Sequence, residues 1–190
     1  VLLLEDRRLP FVQATGVFRG GLLAETEALQ GLTRLMSRLL VKDTLRQSAE
    51  ALANRIESVG GGIGSSIGNN SFGVSLHGLR PDLAMVVDFL GETLREPAFL
   101  EEVVKKEKQF QLAQVKAERD RPFSVAMKAL RKLVYGEHPY GLEVSGTEAS
   151  LSRMRRKDVA EQHARLVRGG NGVVGVFGDL DLSRAEDLVR

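Results

Sequence analysis

The chain of 190 residues carries 27 Lys+Arg against 25 Asp+Glu, 43% hydrophobic residues, three histidines and no cysteine. That length can bury a core, and a charged fraction of 27% argues against disorder. The missing cysteine excludes disulfides, thiolate metal sites and a cysteine nucleophile. No apolar run reaches the roughly 18 residues of a membrane span, and a net charge of +2 gives no ground for a nucleic-acid partner.

In chain order, Val1 to Leu4 and Phe11 to Phe18 read as one β segment interrupted at Leu9-Pro10 and closed by Gly20-Gly21. Residues 25–41 follow as a helix, with Leu29, Leu32, Leu35, Met36, Leu39 and Leu40 at helical spacing. Ser48 is placed to cap a second helix whose apolar side is Leu52, Ala53, Ile56 and Val59, with Gly60 as its stop. Seven of the 20 glycines lie between Gly60 and Gly78, where alternation from Phe72 to Leu76 predicts a hairpin turning near Asn69-Asn70. Pro81-Asp82 opens a third helix, with Leu83, Val86, Val87, Leu90 and Leu94 on one side, and Pro97 ends it. A long charged helix spans 100–119. Pro122 opens another, with Val125, Ala129, Leu130 and Leu133 as its apolar side and Gly136 as its end. After a His138-Pro139-Tyr140-Gly141 loop come a helix from Asp158 to Val167, a buried strand from Gly172 to Phe177, and a final helix capped by Ser183.

Strands and helices do not alternate strictly, so the order argues for α+β: one antiparallel or mixed β-sheet with several helices packed on it. No linker or repeat divides residues 1–190, which read as one domain. A start at Val1 instead of Met and an end at Arg190 inside a helical run read as a fragment of a longer chain.

Three patterns invite a chemical reading. Gly60-Gly61-Gly62-Ile63-Gly64 is glycine-rich, but a phosphate loop follows a strand and opens a helix, and here the order is reversed. Arg153, Arg155, Arg156 and Lys157 form a basic cluster without aromatic platforms, and it reads as a solvated surface. The histidines, His77, His138 and His163, are 61 and 25 residues apart, too far for a helical metal pair. His138 has no nucleophile beside it and reads as a structural loop residue. A hydrolytic site around His138 and Tyr140 is the remaining enzymatic alternative.

The stretch Gly31-Leu-Thr-Arg34-Leu-Met-Ser37-Arg38-Leu-Leu-Val-Lys42-Asp-Thr44 resembles the motif helix of the pitrilysin/insulinase family of zinc metallopeptidases. That family includes the mitochondrial processing peptidase and the core subunits of the bc1 complex. Its active members carry H-x-x-E-H in the frame G-x-A-H-x-x-E-H-x-L-x-K-G-T. Gly31, Leu40, Lys42 and Thr44 keep the frame. The resemblance continues through Leu9-Pro10, the hairpin to Leu76, Pro97-Ala98-Phe99, Asp120-Arg121-Pro122, the His138 loop with Gly146-Thr147, and Gly178-Asp179.

The resemblance puts Arg34 and Arg38 at the two histidine positions, Ser37 at the glutamate, and Gln114 at the third zinc ligand. Guanidiniums have no lone pair for Zn²⁺, and Ser37 cannot replace a carboxylate base. The implied function is a non-catalytic peptidase-like domain with no catalytic residue and no metal of its own. It would form part of a peptide-binding chamber beside a homologous active domain or subunit carrying H-x-x-E-H, which would hold the zinc. The alternative is a structural or assembly subunit unrelated to proteolysis, like the bc1 core proteins. Likeness to paired bacterial members points to a periplasmic setting.

Overall fold

A computed structural model describes residues 1–189, so Arg190, where the chain was read to stop inside a helix, lies outside the described residues. The strands are β1 (Leu2–Glu5), β2 (Phe11–Arg19), β3 (Gly62–Ile67), β4 (Ser71–Leu79) and β5 (Gly172–Gly178). They form one mixed sheet in the order β1-β5-β2-β4-β3. The β1–β5 pair is parallel, and the β5–β2, β2–β4 and β4–β3 pairs are antiparallel. The opening β run is therefore two strands that are not neighbours, because β5 inserts between them.

Among the described residues eight α-helices accompany the sheet: α1 (Leu32–Leu39), α2 (Ala49–Glu57), α3 (Leu83–Arg95), α4 (Glu101–Glu118), α5 (Pro122–Tyr135), α6 (Glu148–Arg153), α7 (Arg156–Leu166) and α8 (Leu182–Val189). The period-2 alternation of the strands decides which side they cover. Val12, Ala14 and Phe18 of β2 and Phe72, Val74 and Leu76 of β4 are buried with Leu35, Met36 and Leu39 of α1 and Leu90 of α3. A Cβ at Gly16 would lie 2.7 Å from Leu94 and one at Gly78 3.1 Å from Val86, so these glycines let α3 lie close on the sheet. The odd-numbered residues of β2 and β4 point to the opposite face. There Thr15 Oγ1 donates to Ser75 Oγ at 3.0 Å, and Phe11 stacks on His77.

Ser48 caps α2 as expected, its side chain accepting from the Ala51 amide at 3.2 Å. The helix expected over 25–41 is shorter. Gly31 takes φ +89°, so the preceding residues form short 3-10 turns and the α-helix begins at Leu32. α6 was not expected. It starts at Thr147, whose hydroxyl accepts from the Ser150 amide at 3.1 Å. Asp181, not Ser183, caps α8, accepting from the Arg184 amide at 3.0 Å. The apolar side of α5 is the largest departure: Val125, Leu130 and Leu133 are exposed, and no residue of α5 is buried.

Candidate functional site at the α1–α4 contact

The N-terminus of α1 is held by a distant carboxylate. Glu25 accepts from the amides of Gly31 at 2.8 Å and Thr33 at 2.6 Å, replacing a conventional cap. Burial pushes its carboxyl up from the ordinary range, against the pull of the two amides. Gly31 itself fits against Gly146: a Cβ at Gly31 would lie 2.7 Å from the Gly146 Cα. The frame residue Thr44 is fixed at the other end, donating its hydroxyl to the buried Glu92 of α3.

Arg34 and Arg38 lie four apart on α1 and share the side that meets α4. Arg34 donates to Ser145 Oγ at 3.0 Å and to Gln114 Oε1 at 3.4 Å, a contact between residues 80 apart in the chain. Arg38 donates through Nε to Glu107 of α4 and lies over the Phe110 ring, 4.6 Å from its centre. Lys42 approaches the other Glu107 oxygen at 3.9 Å. Ser37 points inward and donates to the Arg34 carbonyl at 3.0 Å. Its hydroxyl is thus committed to its own helix.

Around this contact lies a polar stripe on α4. Gln111, fully buried, donates to the carbonyls of Gly31 and Ser145, both at 3.0 Å. Ser145 donates to Glu118 at 3.1 Å, and Glu118 pairs with Lys128 of α5 at 2.8 Å. Burial alone would raise the Glu118 carboxyl and lower the Lys128 ammonium. Their mutual hydrogen bond and opposite charges, with Ser145 and Arg34 acting on Glu118 and Glu143 acting on Lys128, together outweigh it, holding Glu118 below and Lys128 above their ordinary values. Lys128 also reaches Glu143 at 3.3 Å.

The structure thus brings Arg34, Arg38 and Gln114 to one helix–helix contact and turns Ser37 away from it. Glu107, Gln111, Glu118 and Ser145 complete the contact, and sequence reading had not singled them out. Their signal was the spacing 107, 111, 114, 118 on α4, which is helical and polar and marks a polar stripe facing protein. Glu107, in the charged run of the long helix, is buried.

The histidines are separated. His77 is exposed on the sheet and stacks on Phe11. His163 is largely buried, donates through Nε2 to the Leu94 carbonyl at 2.9 Å and meets Phe99 edge-on. Burial holds its ring below the usual imidazole range, although the Leu94 carbonyl favours the charged form. His138 accepts from the Tyr140 amide at 3.2 Å and caps a short 3-10 turn, with its ring edge-on to Tyr140. Among the described residues no three His, Asp or Glu side chains are grouped to hold a metal ion. The donor set at α1 and α4 does not fit zinc either. Two guanidiniums offer no lone pair, Ser37 is committed, and Glu107 is engaged by Arg38.

A mixed sheet with its helices on one face, and a short helix after a positive-φ glycine packed on a long one, is a metallopeptidase-type domain fold. A peptidase M16 inactive domain from Pseudomonas fluorescens superposes with a TM-score of 0.92 at 24% identity, over 98% of this chain and 46% of that one. Pitrilysin does so with 0.85 at 18% identity, over 98% and 20%. The chain belongs to the insulinase family (peptidase family M16), whose model matches residues 1–148. It is 28% identical over 159 residues to the mitochondrial-processing peptidase subunit alpha of Solanum tuberosum, covering 80% of this chain and 31% of that protein. It is 28% identical over 185 residues to an uncharacterized zinc protease of Mycobacterium leprae, covering 96% and 42%. The chain therefore spans less than half the length of these curated relatives.

Proposed function

We propose that this chain is a non-catalytic domain of an insulinase-family peptidase, forming part of the peptide chamber beside a homologous active domain that carries H-x-x-E-H and zinc. The observation that carries the reading is the Arg38–Glu107 pair with the Arg34–Gln114 contact. These side chains connect α1 to α4 by hydrogen bonds and charge at the positions where the family's resemblance implies metal ligands. Gly31 at positive φ and the Thr44–Glu92 hydrogen bond tie the two ends of the α1 segment to the rest of the fold. The likeness to a domain described as inactive and to relatives described as zinc proteases supports the same reading.

The test is to add the purified chain to a separately purified H-x-x-E-H homologue. The chain alone leaves a fluorogenic peptide intact, and its addition raises the kcat/KM of the homologue. Peptide hydrolysis by the chain alone, abolished by a chelator, contradicts the proposal.

A further inference from the structure

Arg38 does more than replace a metal ligand, because it offers donors that the fold does not use. A guanidinium presents two bidentate edges, one that carries Nε and one formed by Nη1 and Nη2. Arg38 commits the first to Glu107, its Nε donating to the carboxylate. The Nη1–Nη2 edge makes no hydrogen bond among the described residues, and the side chain is 30% exposed. The half-exposed Phe110 ring lies under the guanidinium, 4.6 Å from its carbon. A carboxylate at one edge and a ring against one face fix the plane of the group, so the free edge is preorganised.

The charge around that edge is unbalanced. Arg34 and Arg38 are four apart on α1, a spacing at which like charges repel, and Lys42 follows four residues on. The Lys42 ammonium is 3.9 Å from the other Glu107 oxygen, and 41% of its side chain is exposed. Among the described residues Glu107 is the only carboxylate that forms an ion pair with either Arg38 or Lys42. Glu118 stands about 16 Å further along α4 and is held by Lys128. Two cations therefore share one carboxylate, and the surplus charge lies where the free edge of Arg38 meets solvent. An incoming carboxylate relieves that repulsion and takes up the unused donors.

We infer that the Nη1–Nη2 edge of Arg38, with Lys42 beside it and Phe110 beneath it, is a carboxylate-binding subsite for a peptide. The inference rests on the functional reading above for the peptide itself. The carboxylate, from an acidic side chain or from the peptide C-terminus, meets the edge in two parallel N–H···O bonds. Where the family resemblance implies a zinc ligand, this chain then orients a peptide by its charge and does not polarise its carbonyl. A basic segment is repelled from the same place.

Fluorescence anisotropy of the purified full chain, with labelled short peptides of one neutral sequence, tests this. One peptide carries a central Glu and an amidated C-terminus, one a central Gln and a free C-terminal carboxylate, and one a central Gln and an amidated C-terminus. At least one of the first two is expected to bind about tenfold tighter than the third, and which of them does so identifies the source of the carboxylate. The difference shrinks from low to physiological salt. Arg38→Gln abolishes it and Lys42→Met reduces it severalfold. Glu107→Gln removes the competing carboxylate, so it tightens binding of the acidic peptide and leaves the neutral one unchanged. A merely structural Arg38–Glu107 link gives no such gain. Circular dichroism checks each variant, and Lys42→Met and Glu107→Gln carry the test where Arg38→Gln does not fold. Equal affinity for the three peptides, or binding of none, overturns the inference. An acidic preference unchanged by Lys42→Met and Glu107→Gln overturns it equally. Neither result bears on the functional proposal, which fails on peptide hydrolysis by the chain alone.

Discussion

Arg38→Ala separates a structural cross-link from an incidental surface contact. It removes the guanidinium from Glu107, whose side chain is 9% exposed, and leaves it the Lys42 ammonium at 3.9 Å. Breaking a fully buried pair costs about 3–5 kcal/mol, and an exposed pair is worth about 0–1 kcal/mol. Arg38 is 30% exposed, which places the cost between these limits, at about 2 kcal/mol including its contact with Phe110. For a chain of this size that lowers Tm by about 4–8 °C. Glu107→Leu alone leaves Arg38 able to reach water and costs less. The double variant recovers much of the loss, because no unpaired carboxylate remains in the contact. Urea unfolding of parent, single and double variants gives the coupling energy, expected at about 1 kcal/mol or more. An Arg38→Ala chain melting within a degree of the parent, or strict additivity in the cycle, would refute the assignment of these residues as the α1–α4 cross-link.

Gly31→Ala places a Cβ on a residue at φ +89° and 2.7 Å from the Gly146 Cα, and it is expected to cost at least the ~1–3 kcal/mol of a strained backbone, read as a lower urea midpoint. Ser48→Ala removes the accepted Ala51 amide bond and costs about 1 kcal/mol by the same measurement. Stability should also fall as pH drops. His163 has a depressed folded-state value, so folding favours its neutral ring. The stability it contributes is present above about pH 6.5 and is lost as pH falls through that value towards the folded one. Melting curves from pH 8 to pH 5.5 check this, and His163→Gln is expected to flatten the slope.

The strands, the second helix and the hairpin were legible because period-2 and 3.6-residue patterns and the Ser48 cap are local signals. β5 inserting between β1 and β2 was not, because strand order depends on pairing across more than 150 residues. The helix over 25–41 was overextended because its apolar spacing is smooth, while its true start depends on the φ of Gly31 and on the reach of Glu25 to Thr33. The α1–α4 contact was half legible. Arg34, Ser37, Arg38 and Gln114 came from the resemblance to a motif. Glu107 was hidden because a glutamate among lysines looks solvated, and only its partner on another helix shows otherwise. The spacing of Val125, Ala129, Leu130 and Leu133 marked an apolar side of α5, and the structure leaves Val125, Leu130 and Leu133 exposed. Periodicity reports that a helix has an apolar side, not whether this chain supplies what covers it.

The central claim is that the positions on α1 and α4 hold the fold together without a metal. The most direct measurement is the zinc content of the purified chain after equilibration with excess Zn²⁺ and exhaustive dialysis, with Tm measured in zinc and in chelator. The account predicts well below one zinc per chain and the same Tm in both. One tightly held zinc per chain, with a Tm that drops in chelator, would contradict it.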